Sequence, residues 1–268
     1  MVATDEEANL VPAGGRLAGR KALVTGAARR LGRSIALAVG RAGADVVVHY
    51  RTSEREAAEV CRELEALGAG ASAVAADLSD PAEVEGLVDR AHEAAGGLDL
   101  LVNSASIFPV GGLADVAWSD LDLNLRVNAW APFVLTRGLA ERAGSAGGGD
   151  AGATAAVVNL LDTRIRGGDP DHAAYHLSKV ALAELTRMTA LAYAPCVRVN
   201  GVAPGPVLPP EGKDDAYLRG RIAALPLGGL IPDAAIAEAV LYLLSAESVT
   251  GQVLFVDGGS HLRPGETR

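Results

Sequence analysis

Residues 21–32, Lys-Ala-Leu-Val-Thr-Gly-Ala-Ala-Arg-Arg-Leu-Gly, predict the fold of the whole chain. They read as a buried strand, a glycine-containing turn and the start of a helix that continues through 34–40. Glycines at such a turn allow a tight bend and let the backbone approach a pyrophosphate at the N-terminus of the helix. We therefore expect a nucleotide-binding turn, whose contact residues are Gly26, Arg29, Arg30, Leu31 and Gly32. The alternative is a plain strand-to-helix turn without a ligand.

Short apolar runs recur along the rest of the chain and alternate with helical stretches. Six further strands are expected at 44–49, 71–76, 98–102, 155–161, 197–202 and 252–256. Helices fit between them, notably at 53–68, 118–143, 172–194 and 233–246. Apolar strands separated by helices indicate a parallel sheet covered on both faces. We predict an α/β fold with a doubly wound, seven-stranded parallel sheet and a ligand site at the carboxyl ends of its strands.

The composition places this sheet in a single domain. The chain has 268 residues, of which 49% are hydrophobic, enough for one core. We expect residues 1–18 to form a flexible N-terminal tail and 19–268 one cofactor-binding domain. Residues 144–152 read as a Gly-rich surface loop. The Pro-rich stretch 206–228 is expected to close over the substrate as a lid, with a short helix near 216–221.

Charge and cysteine usage exclude several classes of function. A formal net charge of -9 argues against a nucleic-acid surface. Cys61 and Cys196 are far apart without metal-ligand spacing, so no metal is expected and the thiols indicate a reducing compartment. No apolar run reaches the roughly 18 residues of a membrane helix, and the acidic N-terminus lacks an apolar signal core. We expect a cytoplasmic protein without membrane contact.

A second motif carries the chemistry. Tyr175-His-Leu-Ser-Lys179 sits on a predicted helix, with Asp162 thirteen residues before the tyrosine. Residues four apart share a helix face, so the tyrosine and lysine side chains should be neighbours. We expect the ammonium of Lys179 to favour the phenolate and lower the pKa of Tyr175. This combination is typical of a proton donor beside a hydride acceptor.

The end of the second predicted strand indicates which nucleotide is bound. An NAD site usually has an acid here for the ribose 2'-hydroxyl. This chain has His49-Tyr50-Arg51-Thr52-Ser53 instead. Guanidinium and hydroxyl groups can hold a 2'-phosphate, and Arg29 would add positive charge. We predict NADPH/NADP as the cofactor.

Asp77 and Leu78 follow the third predicted strand. They are candidates for a hydrogen bond to an adenine edge. The alternative is that Asp77 caps the next helix.

With these residues in view, the chain resembles the short-chain dehydrogenase/reductase family over residues 18–262. Besides the Thr-Gly turn and the Tyr175/Lys179 pair, five marks carry the resemblance: Asn103-Ser104-Ala105, Asn128, Pro204-Gly205, Thr250-Gly251 and Asp257-Gly258-Gly259. The resemblance implies a Rossmann fold, NAD(P)-dependent hydride transfer, a small-molecule substrate and a homotetramer.

Arg30 stands where the family usually has glycine, and Asp162 where it has a catalytic serine. These departures, the His49-Tyr50 strand end and the segment Asn103-Ser-Ala-Ser106-Ile-Phe108 resemble the pteridine reductase subgroup. The resemblance implies that Arg30 touches pyrophosphate and pterin, that Phe108 stacks on the pterin ring and that the acid works with the tyrosine. Ser104 replaces a more common asparagine, with an expected effect on loop hydrogen bonds only.

The resulting hypothesis is a reductase of a pterin C=N bond. Lys179 would hold the nicotinamide ribose and Asn103 and Ala105 the cofactor along the backbone. Asn128 would hold a water that links Lys179 to solvent, and Tyr175 would give the proton. The expected substrate-binding residues are Arg30, Ser106, Phe108, Asp162, Tyr175, Leu208, Pro210 and Leu218.

Two alternatives stay open. An NADPH-dependent reductase of ketones or 3-oxoacyl thioesters would need Asp162 protonated, because an ionised carboxylate accepts hydrogen bonds and repels a developing oxyanion. A catalytically silent binding or regulatory protein on the same fold is the other alternative, and the intact Tyr175/Lys179 pair argues against it.

Overall fold

The computed structural model describes residues 15–146, 155–209, 215–223 and 225–263. Within these ranges seven parallel strands form one sheet in the order β3-β2-β1-β4-β5-β6-β7. The strands are β1 (Lys21–Val24), β2 (Asp45–Tyr50), β3 (Ala71–Ala75), β4 (Leu100–Asn103), β5 (Ala155–Leu160), β6 (Val197–Pro204) and β7 (Val253–Val256). The predicted α/β fold is confirmed.

Helices connect the strands and cover both faces of the sheet. In the described ranges they are α1 (Arg30–Arg41), α2 (Glu54–Ala66), α3 (Pro81–Glu85), α4 (Leu87–Ala95), α5 (Trp118–Leu125), α6 (Ala131–Ala146), α7 (Ala173–Ala192), α8 (Asp215–Ile222) and α9 (Asp233–Ser245). Two short 3-10 turns, Thr163–Arg166 and Ser260–Leu262, follow β5 and β7.

The core has two layers because successive residues of a strand point to opposite faces. Val24 of β1 packs into a cluster with Leu64 of α2 and Val240 of α9. Leu23, its neighbour in the chain, belongs to a second cluster with Leu139 of α6 on the other face. All five side chains are fully buried, and burying a Val or Leu side chain contributes about 1.5–3 kcal/mol.

The strand order reverses at β1 and β4, which are neighbours on the sheet although two strands lie between them in the chain. Crossovers leave β1 and β4 in opposite directions, which opens a crevice beyond their carboxyl ends. The glycine turn after β1 and the segment after β4 therefore face the same space.

The structure corrects several predicted boundaries. The helix predicted at 118–143 is interrupted by a π-helical turn, Arg126–Trp130. Strand β4 begins at Leu100 rather than at residue 98. Strand β3 lies at the sheet edge and is only partly buried. The expected tail boundary at residue 18 is too late, because Leu17 is 1% exposed and donates its N–H to the Ala42 carbonyl at 2.8 Å.

Some expectations fall outside the described residues. These are the tail over 1–14, the Gly-rich stretch over 147–152 and Pro210 with the lid residues 211–214 and 224. Among the helices that are described, none combines the length and apolar character needed to cross a membrane.

Candidate active site

A cavity of about 1070 Å³ lies at the carboxyl edge of the sheet. Its walls are formed by residues that follow all seven strands, as expected for the ligand crevice of a parallel sheet. One half adjoins the glycine turn and the other half adjoins Tyr175.

The glycine turn is closed by backbone contacts that leave no room for side chains. Gly26 has φ +64°, and a Cβ there would lie 2.9 Å from Ala105 Cα. A Cβ on Gly32 would lie 2.2 Å from the Gly26 carbonyl oxygen. Both positions therefore require glycine. Arg29 and Leu31 line the cavity beside them at the start of α1.

Arg30 adopts a backbone conformation that explains the glycine usual at its position. Its φ is +53°, and no other non-glycine residue of the described chain has a positive φ. Left-handed backbone costs a non-glycine residue about 1–2 kcal/mol. The Arg30 guanidinium donates to the Pro209 carbonyl oxygen and thereby joins the turn to the predicted lid.

The side chain of His49 is hydrogen-bonded to the backbone of the glycine turn. Its Nδ1 accepts the Gly26 N–H at 3.0 Å, so its Nε2 carries the proton and donates to the Ala76 carbonyl at 3.1 Å. The ring is 2% exposed, and burial lowers the pKa of His49 from 6.5 to about 4. His49 therefore stays neutral near pH 7 and fixes the backbone of the turn.

The strand end that predicted the cofactor contributes one cation to the cavity. Arg51 is exposed and lines the cavity wall. Tyr50, Thr52 and Ser53 are not among the lining residues, and Ser53 instead precedes α2 as its N-cap. A contact of Arg51, Thr52 and Ser53 with a 2'-phosphate stays a prediction.

Asp77 and Leu78 both line the cavity. The Asp77 carboxylate accepts hydrogen bonds from the Ser79 N–H at 2.8 Å and the Ser79 hydroxyl at 2.7 Å. These hydrogen bonds lower the pKa of Asp77. The helix cap considered for Asp77 belongs to Asp80, which accepts the Ala82 N–H.

The segment after β4 is clamped to the turn. Thr25 Oγ1 accepts the N–H groups of Ser104 and Ala105, both at 3.0 Å. Ser104 and Ala105 line the cavity, whereas Asn103 does not. Asn103 instead donates to Asn159 Oδ1 at 2.8 Å inside the sheet. On the opposite wall, Pro204-Gly205 lines the cavity at the end of β6.

Tyr175, Asp162 and Lys179 are brought together as predicted from their spacing. Tyr175 is 7% exposed and its hydroxyl donates to Asp162 Oδ2 at 2.8 Å. Asp162 follows β5, and its Oδ1 accepts the Arg164 N–H at 2.8 Å. Lys179 lies 5.8 Å from the centroid of the tyrosine ring, and its ammonium donates to the Leu160 carbonyl at 2.8 Å.

The expected lowering of the tyrosine pKa is wrong for this structure. Burial, followed by the charge and hydrogen bond of Asp162, raises the pKa of Tyr175 well above its usual range. Burial also lowers the pKa of Lys179 from 10.5 to about 8, against the opposing effect of Asp162. Burial and the carboxylate beside the hydroxyl therefore hold Tyr175 in its proton-bearing form.

Asn128 lies in the π-helical turn and does not line the cavity. Its Oδ1 accepts the Ile107 N–H at 2.9 Å and its Nδ2 donates to the Ile107 carbonyl at 3.1 Å. The amide also bonds the hydroxyls of Ser106 and Ser178. Asn128 is fully buried and fixes the loop that leads to Phe108. The water expected at its side chain stays a prediction.

Phe108 is surrounded by side chains of the loop before α7 and of α7 itself. The ring of His172 stacks on it with centroids 4.3 Å apart, and the ring of Tyr175 meets it edge-on at 4.6 Å. The Arg164 guanidinium lies 5.0 Å from the Phe108 centroid. A substrate ring that stacks on Phe108 must use the surface that His172 and Arg164 leave open, a constraint absent from the sequence-based prediction.

Arg164 and Asp169 also belong to this wall, and the sequence-based prediction contained neither of them. Asp169 pairs with Arg164 at 3.2 Å and with His172 Nδ1 at 3.0 Å. Arg164 is also 3.9 Å from Asp162 Oδ2. Their position could have indicated a role, since Arg164 and Asp169 lie in the short segment between Asp162 and Tyr175. Nothing in their spacing indicated that they pair with each other.

The lid and the chain end complete the cavity. Leu208 is 40% exposed and Leu218 is buried, and both line it together with Ser106. The helix predicted near 216–221 is α8. Ser260 and His261 also line the wall, although only the preceding Asp-Gly-Gly had been singled out.

Comparisons with known proteins agree with this geometry. A family model described as enoyl-(acyl carrier protein) reductase matches residues 26–261. Versicolorin reductase of Emericella nidulans is 32% identical, with 91% of this chain and 97% of the relative covered. L-rhamnose 1-dehydrogenase (NAD(P)+) of a Sphingomonas species is also 32% identical, with 92% and 98% covered.

Solved structures are similar over the whole fold. FolM alternative dihydrofolate reductase 1 from Brucella canis, complexed with NADP, has a TM-score of 0.85 and 33% identity, with 92% of this chain and 96% of that chain covered. Landomycin C-6 ketoreductase LanV, with bound NADP and rabelomycin, has a TM-score of 0.80 and 33% identity, with 92% and 98% covered.

A Rossmann sheet with a glycine turn and an acid-bound tyrosine beside a lysine defines a nucleotide-dependent oxidoreductase. The extent of the matches makes the assignment more specific. The chain belongs to the short-chain dehydrogenase/reductase family.

Proposed function

We propose that this protein is an NADPH-dependent reductase of a C=N bond in a pterin of the dihydropterin or dihydrofolate type. The observation that carries the proposal is the bonding of Asp162, whose two carboxylate oxygens accept from the Tyr175 hydroxyl and the Arg164 N–H. A group that accepts at both oxygens suits a substrate rich in N–H donors and opposes a developing oxyanion.

The cavity fits NADP. The cradle formed by Gly26 and Gly32 admits no Cβ, which lets a pyrophosphate approach the N-terminus of α1. Arg51 lies at the end of β2, where an NAD site has an acid. The solved structures of FolM from Brucella canis and of LanV contain NADP. When bound, NADPH supplies the hydride.

The residues around Tyr175 divide the remaining tasks. Tyr175 keeps its proton because burial and Asp162 raise its pKa, so it donates that proton to the substrate nitrogen. Asp162 also accepts an N–H of the substrate. Phe108 supplies an aromatic wall, for which stacking contributes about 0.5–1.5 kcal/mol beyond area burial. Arg30 reaches the same space from the turn.

A carbonyl reductase is the second candidate, because the ketoreductase LanV is similar to this chain. In that case Asp162 would be protonated, so that it could donate to a carbonyl oxygen. The two candidates share the fold, the cofactor and Tyr175. They differ in the charge on one carboxyl group.

We also propose a cytoplasmic homotetramer. Large apolar side chains are exposed on α5, the π-helical turn and α7, where Trp118 is 87%, Trp130 48% and Leu191 83% exposed. An association of subunits would bury these side chains, because contiguous exposed apolar surface marks interaction sites. Sedimentation of the purified protein tests the assembly, and a monomer at working concentration would contradict it.

The test of function is NADPH oxidation with dihydropterins and dihydrofolate, run beside a panel of ketones. We expect turnover of the pterins, and a large loss of it in Asp162→Ser, since serine cannot supply the anionic acceptor. Asp162→Asn is the matched control for size. Ketone turnover that survives or rises in Asp162→Ser, with no pterin turnover in the unsubstituted protein, would establish the carbonyl reductase instead.

A further inference from the structure

Asp257, just after β7, is a buried carboxylate that gathers donors from two parts of the chain. It is 2% exposed. Three donors come from its own turn: the N–H of Gly259 at 3.0 Å, and the N–H and Nδ1 of His261 at 2.8 and 2.9 Å. The fourth is the hydroxyl of Thr163, which donates at 2.5 Å from 94 residues away. These hydrogen bonds lower the pKa of Asp257 against the effect of burial.

Thr163 is the residue directly after Asp162, and it begins the 3-10 turn Thr163–Arg166. Asp162 caps this turn through its Oδ1, which leaves Oδ2 for the Tyr175 hydroxyl. The direction of the carboxylate therefore depends on where the turn lies. Thr163 ties the first residue of the turn to the end of β7, and Arg164 ties the second to Asp169 at 3.2 Å.

The hydrogen bond between Thr163 and Asp257, here called the tether, spans β6. β5 and β7 are separated by β6 in the sheet. Gly205 follows β6 and fits under the connection, because a Cβ there would lie 2.8 Å from Asp257 Cα. The carboxyl ends of three strands are thus fastened at one point beside the cavity.

We propose that Thr163 and Asp257 are positioning residues that hold the Asp162 carboxylate within hydrogen-bond distance of the Tyr175 hydroxyl. This inference rests on the proposed roles of Asp162 and Tyr175, and it holds for either substrate class. Loss of the tether lets the 3-10 turn shift, and a shift of the carboxylate weakens its bond to the tyrosine. Misplacing a catalytic group by about 1 Å can cost about 100-fold in rate.

The test compares Thr163→Val with Thr163→Ser. Valine matches threonine in shape and lacks the hydroxyl, whereas serine keeps the hydroxyl. Thr163 is the better site to change, because Asp257→Asn also alters the hydrogen bonds that the carboxylate accepts from Gly259 and His261. Each variant is assayed with the substrate that the unsubstituted protein turns over, for kcat, for KM of NADPH, for Tm and for the pH dependence of kcat.

The pH dependence separates positioning from a purely structural role. Tyr175 faces Asp162 and Asp169, which raise its pKa, and Arg164, which lowers it; Lys179 lies on its own helix and the uncharged Phe108 ring covers its edge. Burial raises the pKa of Tyr175 most and remains when Asp162 moves away, but the loss of the neighbouring charge and hydrogen bond still lowers the pKa relative to the unsubstituted protein. The alkaline limb of the kcat profile, where the donor loses its proton, then moves to lower pH.

For Thr163→Val we expect kcat to fall about 10- to 100-fold, the alkaline limb to move to lower pH, and KM for NADPH to stay unchanged. In Thr163→Ser, kcat and the pH of the alkaline limb should both match those of the unsubstituted protein. If Thr163→Val does not fold, Asp257→Asn must show the same limb shift. An ultraviolet titration of the tyrosines, with Tyr175→Phe as reference, reads the same pKa without turnover.

Two results would overturn the inference: a Thr163→Val protein with unchanged kcat and limb, or equal losses in the valine and serine variants. Asp162→Asn is run in parallel. If it too leaves kcat unchanged, the proposed role of the acid fails along with the inference. If Asp162→Asn collapses activity while Thr163→Val does not, the tether alone is refuted.

Discussion

The glycine turn in the nucleotide half of the cavity is formed by one contiguous stretch of chain, whereas the substrate half is assembled from side chains of separate segments. Residues 25–32 form this turn, in which Gly26 and Gly32 meet backbone to backbone. The second half joins Phe108 after β4, the 162–172 loop after β5, and the turn after β7. Local backbone geometry sets the first, and long-range pairing sets the second.

This difference has a physical consequence. A turn packed through backbone atoms is disrupted when a substitution adds atoms, because the backbone around it can shift only at a large cost in free energy. A side-chain assembly fails when one polar partner is removed, because the others lose their orientation and a buried group is left unpaired. Substitutions in the two halves should therefore differ both in kind and in which kinetic constant they change.

The largest effect is expected in the substrate half. Tyr175→Phe keeps the ring against Phe108 and removes the hydroxyl bonded to Asp162. We expect kcat to fall about 10²–10⁴-fold, the usual contribution of a positioned proton donor. Affinity for NADPH, measured by fluorescence titration, should be unchanged. A loss of affinity equal to the loss of kcat would show that the halves are not independent.

The converse is expected of Gly32→Ala. The new methyl group would meet the Gly26 carbonyl oxygen at 2.2 Å, so the turn must shift. We expect KM for NADPH to rise by up to about 100-fold and the protein to lose about 1–3 kcal/mol from overpacking. Single-turnover reduction at saturating NADPH should be much less affected.

Gly144→Ala is the matched control for this substitution. It lies in α6, and a Cβ there meets no atom within 4 Å. Alanine in a helix is about 1 kcal/mol more favourable than glycine, so this variant should keep its KM and gain slightly in Tm. A normal KM in Gly32→Ala would mean that the cradle is less rigid than its contacts indicate.

The smallest effect concerns how His49 fixes the turn. Burial depresses the folded pKa of His49 to about 4, below the unfolded value of 6.5. Its stabilising contribution is therefore complete above pH 6.5 and is lost as the pH falls towards 4. By linkage this amounts to about 2 kcal/mol between roughly pH 7 and pH 5.

His49→Asn keeps an acceptor for the Gly26 N–H and removes the titration. Urea unfolding at the two pH values should show a smaller loss of stability in the variant than in the unsubstituted protein. Equal losses in the two proteins would indicate that His49 is not held neutral.

Most of the fold was predictable because its signals are local. The apolar runs located all seven strands, with errors of one or two residues at their ends. No local pattern signalled the interruption of the helix after β4, where Asn128 bonds the Ile107 backbone from 21 residues away. The strand order was likewise inferred only as far as the fold class.

The candidate site was predictable in its motifs and not in its partners. Spacing placed Tyr175 and Lys179 on one helix face, and the structure adds that burial and Asp162 raise the tyrosine pKa. Thr52 and Ser53 lie between Arg51, which lines the cavity, and the first residue of α2. Their chemistry suits a phosphate, but hydroxyl chemistry alone does not indicate where the side chains point.

The amino-acid sequence by itself determined the parallel sheet, the glycine cradle and the tyrosine–lysine pair, because each follows from spacing within a single strand, turn or helix. Only the tertiary structure decided that Asp169 pairs with Arg164 and His172, that His49 lies beneath the turn, and that Thr163 is tethered to Asp257. These contacts join residues whose separation in the chain carries no periodic signal. Their positions are set by packing of the strand ends, which no local pattern encodes.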